Sequence, residues 1–342
     1  MSLAAAIRDR DVAQLPSRRD EDWRWTDLRG LIRVLPEPSA PFEGDVGPAP
    51  FDALAEEVRT LVNGGEAAID VPAGGKAVVA LRLAARGAGS HANRVAITLG
   101  EGARLRLFEC YDSDGASLAQ TTLAISLAAG AAVERIVLAA DDPEAVSVSQ
   151  AEVRLAPGAE FGQTVLTSGS RRQRLETVVH HPGGQAKLRL DGVYVLAGKA
   201  HADLTTVVTH EGVDGATEQL TKGVVRDQAR GVFQGRIIVA EGADRTDAKM
   251  GHHALILSDR AEVDAKPELE IYADDVACAH GNTVGALDED ALFYAQSRGI
   301  PEAEARALLT EAFLGEVIDR IEHDGGREIV RAWVAERLGG AG

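Results

Sequence analysis

Apolar and polar residues alternate along the middle of the chain with the two-residue period of β-strands, as in the segments 105–108 (LRLF) and 188–195 (LRLDGVYV). No stripe of helical period, ten residues or longer, separates the strand-like segments. Because the crossover helices of a βαβ fold would show such stripes, that fold is not expected. The pattern predicts a mainly β protein.

Glycines punctuate these strands at a constant spacing of 28 residues, at Gly74, Gly102, Gly130 and Gly158. The last three follow the similar strands VAITL, LAISL and AEVRL. One such repeat cannot bury its own apolar face, whereas stacked repeats share one interior. Residues 67–287 are therefore predicted to form a parallel β-helix, a type of β-solenoid, of about seven turns. The alternative is an antiparallel sandwich or barrel in which the glycine spacing is a coincidence.

The two ends of the chain follow other patterns. Residues 1–66 contain five prolines between positions 36 and 50, which favours an irregular wrapping segment. Within it, residues 52–63 have apolar residues at helical spacing before two glycines, and we expect a short amphipathic helix there. Residues 288–342 are predicted to form a C-terminal helical domain, with helices over 288–297, 301–321 and 327–338.

The chain is acidic, with 53 Asp and Glu against 36 Lys and Arg and a net charge of −17. This charge repels a phosphate backbone, so nucleic acid is not an expected partner. The most apolar stretch, residues 121–140, is interrupted by Gly130, Glu134 and Arg135, and no membrane span is expected. The first eleven residues lack the apolar core of a signal peptide, so a cytoplasmic location is the expectation.

The sequence carries no His-Glu-x-x-His, Gly-x-Ser-x-Gly or Cys-x-x-Cys motif. The nearest approach to a Walker A loop, residues 192–200, has one residue too many between its glycines and ends in Ala200, where magnesium binding needs Ser or Thr. The chain is therefore not expected to hydrolyse ATP, and zinc protease, serine hydrolase and dithiol redox activities have no support in the sequence. One rival interpretation is a β-solenoid carbohydrate-active enzyme with paired carboxylates in a groove.

Two cysteines, Cys110 and Cys278, cannot supply a disulfide framework or a four-thiolate metal site within one chain. Cys278 and His280 are two residues apart, so on an extended segment they share one face, and a thiolate and a neutral imidazole both bind iron or zinc. The plain alternative for Cys278 is a buried, inert thiol. The His-His pairs at 180–181 and 252–253 would point to opposite faces of a strand and are expected at surfaces or turns.

Three ordered segments carry a known pattern: 16–28 (PSRRDEDWRWTDL), 255–271 (LILSDRAEVDAKPELEI) and 273–288 (ADDVACAHGNTVGALD), the last continuing to 292–300 (LFYAQSRGI). Together they resemble the SufB/SufD family of iron-sulfur cluster assembly proteins over nearly the whole chain. The short length and the two cysteines favour the SufD branch of that family over the SufB branch.

The resemblance implies a right-handed parallel β-helix between helical ends, and a scaffold subunit without enzymatic activity. Its implied partners are a SufB-like subunit, bound through the end of the β-helix, and a SufC-like ABC ATPase, bound through the C-terminal helices. Iron or a nascent iron-sulfur cluster would be held transiently in the complex, and no cofactor would be stably bound by the chain alone. The isolated chain could also form a homodimer through the edge meant for its partner.

By the same resemblance, His280 falls on the family histidine at the subunit interface and is the expected metal ligand, with Cys278 as a second. ATPase contacts are expected at apolar positions of the C-terminal helices, namely Phe293, Leu308, Leu309, Phe313 and Val317. The alternative is a purely structural role, in which the chain stabilises its SufB-like partner and His280 is dispensable.

One stretch departs from the family pattern. Residues 246–255 carry Met250, His252 and Ala254 where family members usually have Gln and Asn. A ladder of side-chain amides is therefore not expected there.

Overall fold

The body of the protein consists of two parallel β-sheets that face each other across one hydrophobic interior. The computed structural model describes residues 3–339. In chain order the strands are β1 (Glu57–Val62), β2 (Gly65–Val71), β3 (Lys76–Arg86), β4 (Ser90–Leu99), β5 (Arg104–Asp114), β6 (Leu118–Leu127), β7 (Ala132–Ala140), β8 (Val146–Leu155), β9 (Glu160–Thr167), β10 (Arg172–His181), β11 (Lys187–Leu196), β12 (His201–His210), β13 (Ala216–Val225), β14 (Arg230–Val239), β15 (Thr246–Ile256), β16 (Glu262–Ile271) and β17 (Val276–Gly285). Odd-numbered strands form one sheet and even-numbered strands the other, and neighbouring strands are parallel. The predicted parallel β-helix is confirmed.

Helices flank this body at both ends of the chain. The N-terminal helices are α1 (Leu3–Asp9) and α2 (Leu28–Leu31), and 3-10 turns lie at Val12–Gln14, Glu21–Trp23 and Asp52–Leu54. The C-terminal helices are α3 (Glu289–Ser297), α4 (Glu302–Ile318) and α5 (Asp324–Gly339). These are the three helices that the periodicity predicted, although α5 begins earlier and α4 ends earlier than expected.

The 28-residue repeat sets the register between successive turns. Gly74, Gly102, Gly130 and Gly158 have φ angles of 68, 64, 65 and 71°, in the left-handed region that glycine adopts without steric cost. Each of these glycines turns the chain from an even-numbered to an odd-numbered strand, so equivalent positions stack on one another. Val95, for example, lies opposite Leu123 in the next turn. The strands make about eight turns, one more than predicted.

The extra turn begins in a segment that the sequence assigned to a helix. Of residues 52–63, only Asp52–Leu54 forms a 3-10 turn, whereas Glu57–Val62 forms β1. Leu61 lies opposite Leu83 of β3 and packs against the interior. The predicted helix was wrong because pairing with a neighbouring strand outweighs an apolar spacing that is compatible with both structures.

The C-terminal helices pack on the outer face of the odd-numbered sheet. Their buried apolar side chains include Leu314, Val317, Ile318, Val330, Trp333 and Val334. These side chains contact outward-facing residues of the sheet, among them Phe108, Ile136 and Val193. Burying an apolar side chain of this size contributes roughly 1.5–3 kcal/mol. The contact therefore fixes α4 and α5 firmly to the β-helix.

The N-terminal segment is held on the outer face of the even-numbered sheet by a buried ion pair. Arg174 of β10 donates through Nη1 to Asp203 Oδ2 of β12 at 2.8 Å, and both side chains are almost fully buried. The same nitrogen donates to the carbonyl of Asp22 at 2.7 Å, and the Trp23 ring lies 4.5 Å from the guanidinium carbon. Thr26 Oγ1 completes the contact by donating to Asp203 Oδ2 at 2.5 Å.

We expect Arg174→Met to lower the free energy of unfolding by about 3 kcal/mol, because the substitution leaves the Asp203 carboxylate buried without its cation. Urea denaturation of the full-length protein measures this loss. The matched control is Arg154→Met, which removes an exposed ion pair with Glu152 and should cost less than about 1 kcal/mol. Equal losses for the two variants would contradict the role assigned to Arg174.

Candidate functional site

The candidate site is the C-terminal end of the β-helix, where β16 and β17 are the last strands of their sheets. Within residues 3–339, each has a sheet neighbour on one side only, so backbone N–H and C=O groups along the other side are free to pair with another strand. Pro267 lies in the middle of β16, opposite Gly235 of β14. A proline is tolerated on an edge strand because its missing N–H faces the unpaired side.

The structure places Cys278 and His280 together on β17. Cys278 lies opposite Ala248 and His280 lies opposite Met250, and both of these β15 residues point into the interior. The two side chains therefore share the inward side of the last strand, as their spacing requires. Cys278 is partly covered by the core, whereas His280 is exposed.

The two side chains differ in their suitability as metal ligands. Burial, with a smaller contribution from the Asp247 charge, raises the pKa of the Cys278 thiol, which favours the protonated form at neutral pH. His280 offers an accessible imidazole. Between residues 3 and 339, no group of three or more His, Cys, Asp or Glu side chains is placed to hold a metal ion.

A buried histidine lies directly behind the site and was missed by the sequence prediction, which placed the His-His pairs at surfaces or turns. His252 is fully buried, donates through Nδ1 to Asn282 Oδ1 of β17 at 2.7 Å, and accepts from the Tyr194 hydroxyl at Nε2 over 2.9 Å. Its ring stacks on Phe233 at a centroid distance of 4.6 Å. Burial lowers the pKa of His252 to about 4, so the imidazole is neutral at pH 7.

The predicted alternation of the His-His pairs is nevertheless confirmed. His181 and His252 point inward and are fully buried, whereas their neighbours His180 and His253 lie on the outer faces of the sheets and are partly exposed. An inward histidine at a strand position was the available signal for burial. What the sequence could not show is that Asn282, thirty residues away, accepts the hydrogen bond.

Two glycines make room for the Tyr194 ring that supports His252. A Cβ atom at Gly223 would lie 1.8 Å from Tyr194 Cζ, and one at Gly231 would lie 2.6 Å from Cε2. Tyr194 is fully buried, so its ring has no free space in which to move aside. The hydrogen bonds that join the side chains of Tyr194, His252 and Asn282 therefore depend on glycine at these positions.

The structure divides the predicted ATPase contacts into an exposed and a buried group. Phe293 is 72% exposed and Leu308 is 48% exposed. Leu309 and Phe313 are partly buried. Val317 is fully buried against the β-helix, so it is not part of a free surface: the apolar stripe of α4 is used for intramolecular packing. Tyr294, which the sequence analysis did not single out, is 60% exposed beside Phe293.

A groove of about 700 Å³ crosses the outer face of the odd-numbered sheet near the start of its strands. Four of its carboxylates form ion pairs with neighbouring cations, in the pairs Arg106–Glu134, Lys187–Glu160, Lys249–Asp247 and Arg320–Glu218. Ion-paired carboxylates of this kind are typical of a solvated surface rather than of an acid and base pair for hydrolysis.

None of the helices within residues 3–339 is long and apolar enough to cross a membrane.

The sequence is similar to proteins of one known family. A family model described as "SUF system FeS cluster assembly, SufBD core domain" matches residues 82–313. The chain is 30% identical to the iron-sulfur cluster assembly protein SufD of Escherichia coli (strain K12) over 383 residues, covering 95% of this chain and 90% of that protein. It is 41% identical over 127 residues to a SufBD family protein of Synechocystis, slr0076, covering 37% and 28%, respectively. It is 35% identical over 133 residues to SufD of Bacillus subtilis (strain 168), covering 39% and 30%.

We expect Gly223→Ala to destabilise the protein by about 3 kcal/mol, because the added methyl group forces the Tyr194 ring out of its packed position. Thermal or urea unfolding measures the loss. Gly281→Ala in β17 is the matched control, since a Cβ atom there meets nothing within 4 Å, and its effect should stay within about 1 kcal/mol. A Gly223 variant as stable as the Gly281 variant would show that Tyr194 is not confined as described.

Proposed function

The chain belongs to the SufBD family of iron-sulfur cluster assembly proteins and is a homologue of SufD, and from this premise we propose that it is a scaffold subunit of a cluster assembly complex. The observation that carries the proposal is the incomplete ligand set at the C-terminal end of the β-helix. There, one accessible imidazole, His280, lies on a strand edge that can pair with another chain. Such a half-site gains further ligands only when a second subunit docks.

The partner at this edge is a SufB-like subunit. Exposed apolar side chains lie on or directly after the last strands: Ile271 is 42% exposed, Tyr272 is 64% exposed and Val284 is 42% exposed. Apolar and aromatic groups of this kind are enriched at the centres of protein interfaces. Backbone pairing along β17 would add hydrogen bonds to this contact. A homodimer of the isolated chain would use the same groups.

The second partner is a SufC-like ABC ATPase, which docks on α3 and the outward side of α4. Phe293, Tyr294 and Leu308 supply the exposed apolar surface for this contact. Because α4 is packed on the β-helix through its other side, a force applied to α4 acts on the whole body. We propose that ATP-driven closure of two ATPase subunits shears the edge shared with the SufB-like partner. His280, exposed in the isolated chain and covered by that partner in the complex, then becomes accessible again.

Iron or a nascent cluster is the cargo of this site. His280 supplies an exposed imidazole nitrogen as one ligand. Cys278 contributes less, because its thiol is partly buried and its raised pKa disfavours the thiolate. The chain itself performs no chemical transformation and keeps no cofactor of its own. Its relatives are named as assembly proteins, which fits this role.

We expect His280→Ala to reduce iron-sulfur cluster formation in cells at least about tenfold, because removing one metal-ligand contact commonly costs affinity on this scale. The measurement is the activity of an iron-sulfur enzyme in cells that depend on this system. His180→Ala is the control, since that partly exposed histidine pairs with Glu211 far from the edge. Normal activity in a His280→Ala complex that still assembles would leave the chain a purely structural partner.

We expect a double variant with Phe293→Glu and Leu308→Glu to lose co-purification with the ATPase and to retain the SufB-like partner. The reason is that a charge placed in an apolar contact costs about 2 kcal/mol or more. Val34→Glu serves as the control, since Val34 is 81% exposed on the N-terminal segment. Retention of the ATPase by the double variant would move its docking site away from α3 and α4.

A further inference from the structure

The last strand of the odd-numbered sheet is held by a histidine on each of its two faces. On the inner face, His252 bonds to Asn282 at 2.7 Å. On the outer face, His253 Nδ1 bonds to Thr283 Oγ1, also at 2.7 Å. Adjacent residues of β15 therefore hydrogen-bond to adjacent residues of β17, which lie two and three residues after His280. These two side-chain bonds supplement the backbone ladder between β15 and β17.

The contact on the outer face extends from the edge towards the middle of the odd-numbered sheet. His253 lies directly opposite Lys222 of β13 in the strand register, at the strand spacing of about 4.8 Å. After burial, the Lys222 charge is the next cause that lowers the pKa of His253, which fits the closeness of the two groups. Thr283, His253 and Lys222 thus form an outward-facing row across β17, β15 and β13, which we name the outer row.

The outer row ends on helix α4. The Lys222 side chain is only 8% exposed, and its ammonium donates to the Glu316 carboxylate of α4. The same ammonium lies 4.4 Å from the centre of the Phe313 ring, one helical turn earlier. A largely buried ammonium held by a carboxylate and an aromatic face has little freedom to move independently of the helix.

Other contacts of α4 with the odd-numbered sheet reach strands further from the edge. Arg320, just beyond the end of the helix, pairs with Asp191 of β11 and Glu218 of β13. The buried apolar residues of α4 pack in the cluster that includes Val193 and Val195 of β11 and Leu220 and Val224 of β13. Leu255 of β15 also packs against this cluster, and the outer row extends the attachment to β17, the last strand.

We propose that the outer row couples helix α4 to strand β17, so that the position of the helix sets the position of the strand that carries His280. The relevance of this coupling to cluster assembly rests on the proposed function, in which α4 meets the ATPase and His280 meets the cargo. The coupling itself is a property of this chain. Lys222, His253 and Thr283 are positioning residues in this scheme, since they act on His280 only through the strand.

Hydrogen exchange of the isolated, full-length protein tests the coupling, because its rate reports how often the backbone ladder of β17 opens. In Glu316→Ala, we expect the amides of β17 to exchange about three to ten times faster, while those of β4 and β6 keep their rates. The matched control is Glu302→Ala, which removes an ion pair with Arg306 inside α4. Equal rates in β17 for the two variants would overturn the proposal.

A double-mutant cycle separates coupling from general loosening of the structure. If the row acts as one unit, Glu316→Ala combined with Thr283→Val should exchange no faster than the faster of the two single variants. Multiplied effects in the double variant would mean that the two ends act independently, and the proposal would fail. Lys222→Arg, which keeps the cation, should preserve the slow exchange that Lys222→Met loses.

These outcomes are independent of the cell-based test of His280. Faster exchange in Glu316→Ala together with normal cluster formation in His280→Ala would remove the cargo role and leave the coupling in place. Unchanged exchange together with lost cluster formation would do the reverse. In the assembled complex, Lys222→Met, at a largely buried position outside both docking surfaces, should leave partner binding intact and reduce cluster formation about threefold or more.

Discussion

The structure depends on the hydrogen bonding of parallel strands between successive turns of the β-helix. Each strand forms hydrogen bonds with the backbone of the strand in the preceding turn, and its remaining N–H and C=O groups bond to the strand in the next turn. The 28-residue repeat keeps this stacking in register, and the glycines at the corners allow the chain to turn without strain. A stack built in this way has no internal means of closing, so its last strands remain incomplete. The candidate site lies at that incomplete end.

The fold could be predicted to a large extent because its governing signals are local. The alternation of apolar residues and the spacing of Gly74, Gly102, Gly130 and Gly158 follow directly from strand geometry and turn conformation. Where two structures shared one local pattern, the prediction went wrong. Residues 57–62 have a spacing that suits a helix, and only the presence of β3 beside them selects the strand.

The site could be predicted only in part, because its supporting contacts join residues that are distant in sequence. The spacing of Cys278 and His280 placed both on one side of a strand. The role of His252 depends on Tyr194, which precedes it by 58 residues, and on glycines in the intervening strands that give the ring its space. Similarly, an apolar stripe on α4 does not reveal which of its members face the β-helix, and Val317 proved to be one of them.

The segment at 16–28, which contributed to the family resemblance, acts on the even-numbered sheet far from its own position in the chain. It lies across β10 and β12 through Arg174 and Asp203, and Glu21 reaches Lys266 of the edge strand at 2.8 Å. The N-terminal segment therefore contacts and stabilises β16, an edge strand of the candidate site, on its outer face.

Pro267 in the edge strand β16 has a consequence for how copies of this protein meet. Two open ends on one β-helix would allow molecules to add head to tail without limit, giving a filament. The ring nitrogen of Pro267 has no hydrogen to donate, so it interrupts the row of backbone donors on β16, one of the two edge strands at the C-terminal end. The C-terminal end of the β-helix can therefore pair with another chain along β17 but is poorly suited to filament growth.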